Sequence, residues 1–185
     1  MDFFEAIEKR YSFRSEYKAQ AVSEKDMRKI LDAGIRAPSG CNGQTTSFIA
    51  VTDKDLLKKI AGVIDKPCVK TAPLIIAVLT EKVEVFEGTS FEIEDYGAAV
   101  ENILLAATAL GYASLWLDGY TRSGTNSRLL AEILGVPARF TVRTILPVGV
   151  PAEAGSANAK PLPNGFIWKG ISKAKIVPDF ISSTK

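Results

Sequence analysis

Histidine is missing from all 185 residues, and that one gap excludes several kinds of chemistry. Without an imidazole there is no Ser-His-Asp triad, no Cys-His nucleophile pair and no histidine ligand for zinc. Cysteine is scarce: Cys41 and Cys68 are the only two, too few for a disulfide framework or a cysteine zinc site. Two thiols of this kind are expected of a protein kept in a reducing cytoplasm. Runs of five or more like charges are lacking, and the basic residues are scattered along a chain of net charge +2. Such a distribution argues against a nucleic-acid partner. The longest apolar stretch, around Ile103 to Leu110, falls well short of the roughly 18 residues that a membrane span needs. Asp2, Glu5 and Glu8 keep the first ten residues from reading as a secretory signal. Any enzymatic chemistry is therefore expected from an organic cofactor, with the protein supplying binding and orientation.

What is present suits one globular domain over residues 1–185, since 46% of residues are hydrophobic and 24% charged. Asp2 to Arg10 reads as a helix with Phe3, Phe4 and Ile7 on one face. Ser23 and Asp26 resemble a capping box that opens a second helix through Ile35, with Met27, Ile30, Leu31 and Ile35 at helical spacing. Residues 37–44, dense in turn formers, read as a loop. A strand is expected at Ser47 to Thr52, then a helix capped by Asp53 with Leu56, Leu57 and Ile60 inward. Leu74 to Thr80 is an apolar strand suited to a sheet interior, and 81–90 is a connection.

Asp95 to Leu110 is the most apolar helix, with alanine, valine, isoleucine and leucine around most of its circumference. It must be covered on nearly every side. Gly111 stops it. A strand is read at Ala113 to Tyr120, a helix at Asn126 to Leu134, and a strand at Phe140 to Val150. In the last, Pro147 limits pairing on one side or marks a bulge. After Pro151 the pattern dissolves, yet Phe166, Ile167, Trp168, Ile171 and Ile176 remain, so this tail is expected to pack on something. Strands and helices interleave as a mixed layered architecture, and pattern alone goes no further.

Two segments invite a chemical reading. Arg10-Tyr11-Ser12-Phe13-Arg14 sets two guanidinium groups around a hydroxyl, a combination suited to bidentate phosphate contacts. It is equally readable as solvated charge that complements a helix C-terminus. Pro38-Ser39-Gly40-Cys41-Asn42-Gly43-Gln44 offers a hydroxyl, two amides and glycines, groups that satisfy the polar edge of a flat heterocycle. An ordinary helix-to-strand loop is the plainer alternative. Cys41 and Cys68 read as small buried fillers rather than nucleophiles, because no histidine is there to activate them. Trp116 reads as core; Trp168 either covers a ligand or anchors the tail. Gly119-Tyr120-Thr121-Arg122-Ser123-Gly124 is neither a dinucleotide fingerprint nor a phosphate-binding P-loop, so no separate nucleotide domain is implied.

Taken in order, Arg-x-Ser-x-Arg at residues 10–14 and Ala-Pro-Ser-x-x-Asn-x-Gln at 37–44 resemble the nitroreductase family. Further stretches are similar to it: Thr71-Ala72-Pro73 before an apolar strand, the helix that begins Asp95-Tyr96-Gly97-Ala98-Ala99, and Gly111-Tyr112-Ala113-Ser114. Leu134-Gly135-Val136-Pro137 and Leu146-Pro147-Val148-Gly149-Val150-Pro151 complete the set, which spans roughly residues 5 to 162. Two departures stand out. Thr45-Thr46 occupy the place where the family usually has Pro-Trp. Ala159-Lys160-Pro161-Leu162 presents Lys160 where the family's phosphate-binding arginine is expected.

The resemblance implies an α+β fold, a three-layer α/β/α arrangement around a central mixed, mainly antiparallel sheet. Two chains interlock as a homodimer around two FMN molecules, and residues 151–185 extend over the partner subunit. Carried over residue by residue, Arg10 and Ser12 hold the FMN phosphate, with Tyr11 between them counted in the same set. Arg14 faces the pyrimidine edge of the flavin. Pro38, Ser39 and Asn42, with Gln44, reach the ring and ribityl chain of the other subunit's flavin. Asp118-Gly119 matches the place where a backbone N–H meets flavin N5, and Lys160 stands in at the phosphate. The implied activity passes electrons from NAD(P)H through FMN to a nitroaromatic, a quinone or a similar small acceptor, with no catalytic side chain and no metal required. Alternatives on the same scaffold are a reductive dehalogenase, a flavin-fragmenting synthase, a peptide-azoline dehydrogenase, or a flavin-binding protein without turnover. Segment 81–94 and the tail would decide substrate entry.

Overall fold

Leu74-Ile75-Ile76-Ala77-Val78-Leu79 is apolar at every position, and only a strand covered on both faces accommodates such a run. In the computed structural model, which describes residues 1–157, this run forms the interior strand β2, Leu74–Glu81. Alternate side chains enter opposite layers, as the two-residue period of a strand requires. Leu74, Ile76 and Val78 join one core, and Ile75, Ala77 and Leu79 the other. Around β2 lie β1 (Thr46–Val51), β4 (Phe140–Gly149) and the two-residue β3 (Ala113–Ser114), in the order β1-β2-β4-β3. All three pairings of named strands are antiparallel. Among the described residues, the one parallel pairing is the single bridge between Ser12 and Ser114.

Helices cover both faces. On one side α2 (Glu24–Ile35) and α5 (Glu92–Ala109) contribute Ile30, Tyr96, Val100, Ile103 and Leu104 to the core, with α1 (Phe3–Lys9) packed against α5. On the other side α3 (Lys54–Val63), α4 (Pro67–Lys70) and α7 (Asn126–Leu134) contribute Ile60, Cys68, Val69 and Leu130. The expected three layers are there. Asp2, Ser23 and Asp53 cap α1, α2 and α3 through side-chain oxygens that accept backbone N–H groups. Gly135, at φ +64°, ends α7 in the left-handed conformation that a side chain would oppose.

At Arg143 the alternation of β4 side chains between the two faces of the sheet is reset. Val78 pairs with Thr144 but Leu79 with Val142, so Arg143 is an extra residue, a β-bulge. The bulge lets Val142 and Ile145 share one core although they are three apart. It lies four residues from Pro147, which itself pairs in register with Ile75.

Three expectations need correction. Ala113 to Tyr120 is not a strand throughout: pairing stops after Ser114, and residues 118–122 form the short helix α6, Asp118–Arg122. The cause is Pro147. The Ile145 carbonyl accepts Leu117 N–H at 3.2 Å on the β3 side of β4, so Pro147, two residues on, faces that same side. The ladder would need its N–H there, and proline has none. The Pro147 carbonyl instead accepts the Tyr17 hydroxyl at 3.0 Å. Next, α5 begins at Glu92 rather than Asp95, because Glu92, Glu94 and Asp95 in its first turn complement the helix dipole. Finally, periodicity does not reveal α4; four residues started by Pro67 are too short to show a period. No helix among the described residues is long and apolar enough to cross a membrane. The tail expectations, including Lys160 and Trp168, lie outside the described residues.

Candidate functional site

Beyond α1 the chain runs extended, and its side chains alternate. Phe13 is buried while Ser12 and Arg14 are exposed. Phe13 anchors the segment: its N–H donates to the Ser114 carbonyl at 3.0 Å, and its ring packs 4.7 Å from Tyr17 and edge-on to Tyr11. A hydroxyl and a guanidinium are thereby held side by side toward solvent. Arg14 Nη1 donates to the Ser12 carbonyl at 3.0 Å, and among the described residues no carboxylate pairs with it. Arg10, at the end of α1, lies 3.5 Å from Glu101 Oε1 of α5, a partly exposed pair that holds it loosely.

The bridge from Ser12 to Ser114 brings this segment to the chain that leads into α6. Here three buried polar atoms have no partner among the described residues: Ser114 Oγ, Trp116 Nε1 and Asp118 Oδ1. Asp118 Oδ2 accepts from Arg122 at 2.9 Å, so its other oxygen is the one left over. Trp116 stands edge-on to Tyr96, with ring centroids 5.9 Å apart. Burial pushes the Tyr96 phenol up from its ordinary value, and the Asp118 carboxylate pushes it further, so Tyr96 stays neutral at neutral pH. Gly119 is exposed with open space where a Cβ would stand, which leaves its backbone approachable.

The loop at 38–44 is built differently. Gly40–Asn42 makes a single 3₁₀ turn, and Cys41, Asn42 and Gln44 all have positive φ, at 50°, 55° and 49°. Left-handed non-glycine residues cost on the order of 1–3 kcal/mol each and persist only where the surroundings impose them. Here the surroundings do. Asp95, buried on the first turn of α5, accepts the Gly40 N–H at 2.8 Å through Oδ1 and the Thr45 hydroxyl at 2.6 Å through Oδ2. Ser39 Oγ accepts the Gln44 N–H at 3.1 Å, and the Gln44 amide reaches Asn42 Oδ1 at 3.3 Å. A Cβ on Gly40 would sit 2.3 Å from the Phe91 ring, so only glycine fits against it. Pro38, Ser39, Gln44, Thr46 and Asp95 line a cavity of about 280 Å³ beside the loop, and the buried Thr46 hydroxyl has no partner among the described residues.

The structure thus brings Arg10, Tyr11, Ser12 and Arg14 together with the segment that ends at Asp118 and Gly119. It keeps Pro38, Ser39, Asn42 and Gln44 apart from them. Among the described residues no hydrogen bond or ion pair joins the two groups. The donor set suits a flat, phosphorylated heterocycle such as the flavin that the resemblance implies. An uncommitted guanidinium, an exposed hydroxyl, unpartnered buried polar atoms and an open glycine backbone are all on one segment pair.

Cys41 corrects another expectation: it is exposed, at the tip of the 3₁₀ turn, and does not fill a core. Cys68 is buried as expected, and burial pushes its thiol up. Trp116 does pack against the core, but its orphan indole N–H adds a polar role not read from its apolar strand. The part Asp95 plays in the loop is not read from sequence at all. The available signal is an acidic residue at the mouth of an alanine-rich helix, 50 residues from the threonine that departs from the family pattern.

Known proteins point the same way. The family model described as Nitroreductase family matches residues 7–67 and 64–150. A protein of Archaeoglobus fulgidus, provisionally named NADH dehydrogenase/NAD(P)H nitroreductase, is 34% identical over 139 residues, covering 74% of this chain and 79% of that protein. A provisionally named nitroreductase of Desulfovibrio desulfuricans, solved in complex with FMN, is 31% identical with a TM-score of 0.77, covering 93% of this chain and 99% of its own. An FMN-dependent nitroreductase of Clostridium difficile R20291 is 30% identical with a TM-score of 0.71, covering 83% and 90%.

Proposed function

This chain belongs to the nitroreductase family, and from that premise we propose that it is an FMN-dependent oxidoreductase passing electrons from NAD(P)H to a small organic acceptor, a nitroaromatic or a quinone. The observation that carries the reading is Arg14. It is a cation with no carboxylate partner among the described residues, fixed beside Ser12 on a segment docked to Ser114, and it belongs to a chain whose FMN-bound relative covers nearly all of it.

Bound FMN supplies the redox chemistry, for which a chain without histidine has few alternatives. Arg10 and Ser12, with Tyr11 beside them, grip the phosphate; Lys160, outside the described residues, is the candidate carried over from the resemblance for a further charge there. Arg14 places positive charge at the pyrimidine edge, where it favours uptake of electrons by the ring. The exposed backbone of Gly119, with Asp118 beside it, would offer its N–H to the redox-active edge of the flavin ring. Pro38, Ser39, Asn42 and Gln44 complete the pocket of the partner copy.

That arrangement needs a homodimer, and one chain alone leaves much apolar surface open. Phe3, Phe4 and Ile7 on α1 are 63%, 74% and 45% exposed, and Ile35 at the end of α2 is 69% exposed. A second copy of the chain covers them. On the outer side of α5, Ala98 and Leu105 are only half-buried and Ala109 is exposed in one chain, and this side joins the same interface. The whole chain acts as one domain. Its two free thiols suit the cytoplasm.

Anaerobic titration of the FMN-reconstituted protein with NADH and with NADPH, followed by a panel of nitroaromatic and quinone acceptors, tests the proposal. Bleaching of the flavin absorption by either nucleotide and its return on adding an acceptor are expected. Protein that shows no flavin bands after reconstitution refutes it.

A further inference from the structure

Thr45 stands where the family usually carries proline, and here it is 3% exposed with its hydroxyl donated to Asp95. Asp95 is 4% exposed and uses its other oxygen on the Gly40 N–H. One buried carboxylate on α5 therefore holds the Pro38–Gln44 loop near its beginning and at the residue that follows it. Between these ties lie Cys41, Asn42 and Gln44, three of the four non-glycine residues with left-handed φ among the described residues. A proline at 45 would bring its own fixed φ and no hydroxyl. Thr45 brings no such constraint, so the shape of the loop is set by hydrogen bonds to Asp95.

A buried charge is kept only where its lone pairs are used, and both Asp95 oxygens are used on this loop. Phe91, one turn before Asp95 on the chain, closes the opposite side by filling the space that a Gly40 Cβ would need.

We propose that Asp95 is a positioning residue for the flavin, holding Pro38, Ser39, Asn42 and Gln44 in the conformation that meets the ring of the partner's cofactor. The proposal rests on the FMN reading above. Asp95 itself touches no cofactor; it acts through Gly40 and Thr45, in place of the stiffness that proline gives the family loop.

The test uses full-length Asp95→Ala, Asp95→Asn and Thr45→Val, each titrated with FMN by fluorescence quenching. Visible spectra of the bound flavin and thermal unfolding of the FMN-free proteins are recorded alongside. Asp95→Ala is expected to weaken FMN binding about 10- to 100-fold and to alter the shape of the flavin band at temperatures where the FMN-free variant is fully folded. Thr45→Val, nearly isosteric, strands one carboxylate oxygen and is expected to weaken binding about tenfold. Asp95→Asn keeps an acceptor for Gly40 and an amide for the Thr45 hydroxyl, and is expected to return to within about threefold of the parent. Variants that melt at lower temperature yet bind FMN with unchanged affinity and spectrum overturn the proposal, since Asp95 then serves stability alone. Asp95→Asn as weak as Asp95→Ala overturns it too, because charge and not the paired hydrogen bonds would be the cause. If Asp95→Ala does not fold, Thr45→Val carries the same comparison. Failure of the parent protein itself to bind FMN is a different result, one that removes the flavin reading.

Discussion

Replacing Arg14 by alanine separates cofactor binding from folding more cleanly than any other single change in this chain. Arg14 is exposed, and among the described residues it makes one hydrogen bond, to the neighbouring Ser12 carbonyl at 3.0 Å. Ser12 is exposed as well, so water replaces that bond at little cost, and stability should move by less than about 0.5 kcal/mol. Against a bound flavin the same guanidinium makes charge-assisted hydrogen bonds, each lost at about 1.5–3 kcal/mol. The dissociation constant for FMN should rise by roughly 10- to 150-fold. Arg14→Lys keeps the charge but not the planar fork and should recover only part of the loss. Fluorescence titration at fixed ionic strength, with thermal unfolding of the FMN-free proteins, measures both quantities. An Arg14→Ala protein with parental melting temperature and FMN affinity within twofold of the parent would refute the assignment of this segment to the cofactor.

Three further outcomes are expected. Glutamate at both Phe3 and Phe4 should convert the dimer to monomer in light scattering and release FMN, since each ring buried by a partner contributes about 1.5–3 kcal/mol. A double variant that stays dimeric would place the interface elsewhere. Tyr17→Phe removes a buried donor from the Pro147 carbonyl and should cost about 1–2 kcal/mol, a fall in melting temperature of about 2–8 °C; an unchanged value would show that water serves that carbonyl equally well. Glu92 is held below its ordinary carboxylate value by the Ser90 hydroxyl and, less, by Arg143, while burial opposes both. Because its folded value is depressed, its contribution is complete above the unfolded value of roughly 4.3 and is lost as pH falls through the folded value. Glu92→Gln should therefore flatten the acid limb of a stability-versus-pH curve, and an unchanged limb would count against the Ser90 hydrogen bond, and with it the weaker Arg143 pair, as the source of the depression.

Most helices are legible residue by residue, because their signals are local. Ser23 ahead of Asp26, Asp53 ahead of its helix and Gly135 after Leu134 each act over one turn, and the structure uses all of them. The interior strand is equally plain, since an unbroken apolar run from Leu74 to Leu79 has few other destinations. The segment 113–120 misleads for the opposite reason. Its alternating Leu115 and Leu117 are buried as a strand would bury them, but whether they pair depends on Pro147, more than 25 residues away. Cys41 misleads because burial of a free cysteine is a tendency of the residue, whereas its exposure follows from the turn that Asp95 and Phe91 impose.

The residue order alone pointed to a layered alternation of helices and strands and to a cofactor-dependent chemistry, and its resemblance to the nitroreductase family singled out segments 10–14, 38–44 and 118–119 as the places to look. Periodicity, caps and missing residue types depend only on neighbours along the chain. Folding in three dimensions settled which of those segments meet. Ser12 lies against Ser114 while the 38–44 loop is drawn to Asp95 instead, and the Arg143 bulge sets which core each end of β4 enters. Those outcomes rest on contacts between residues far apart in the chain, such as Thr45 with Asp95, 50 positions on, and no short window along the sequence contains both partners.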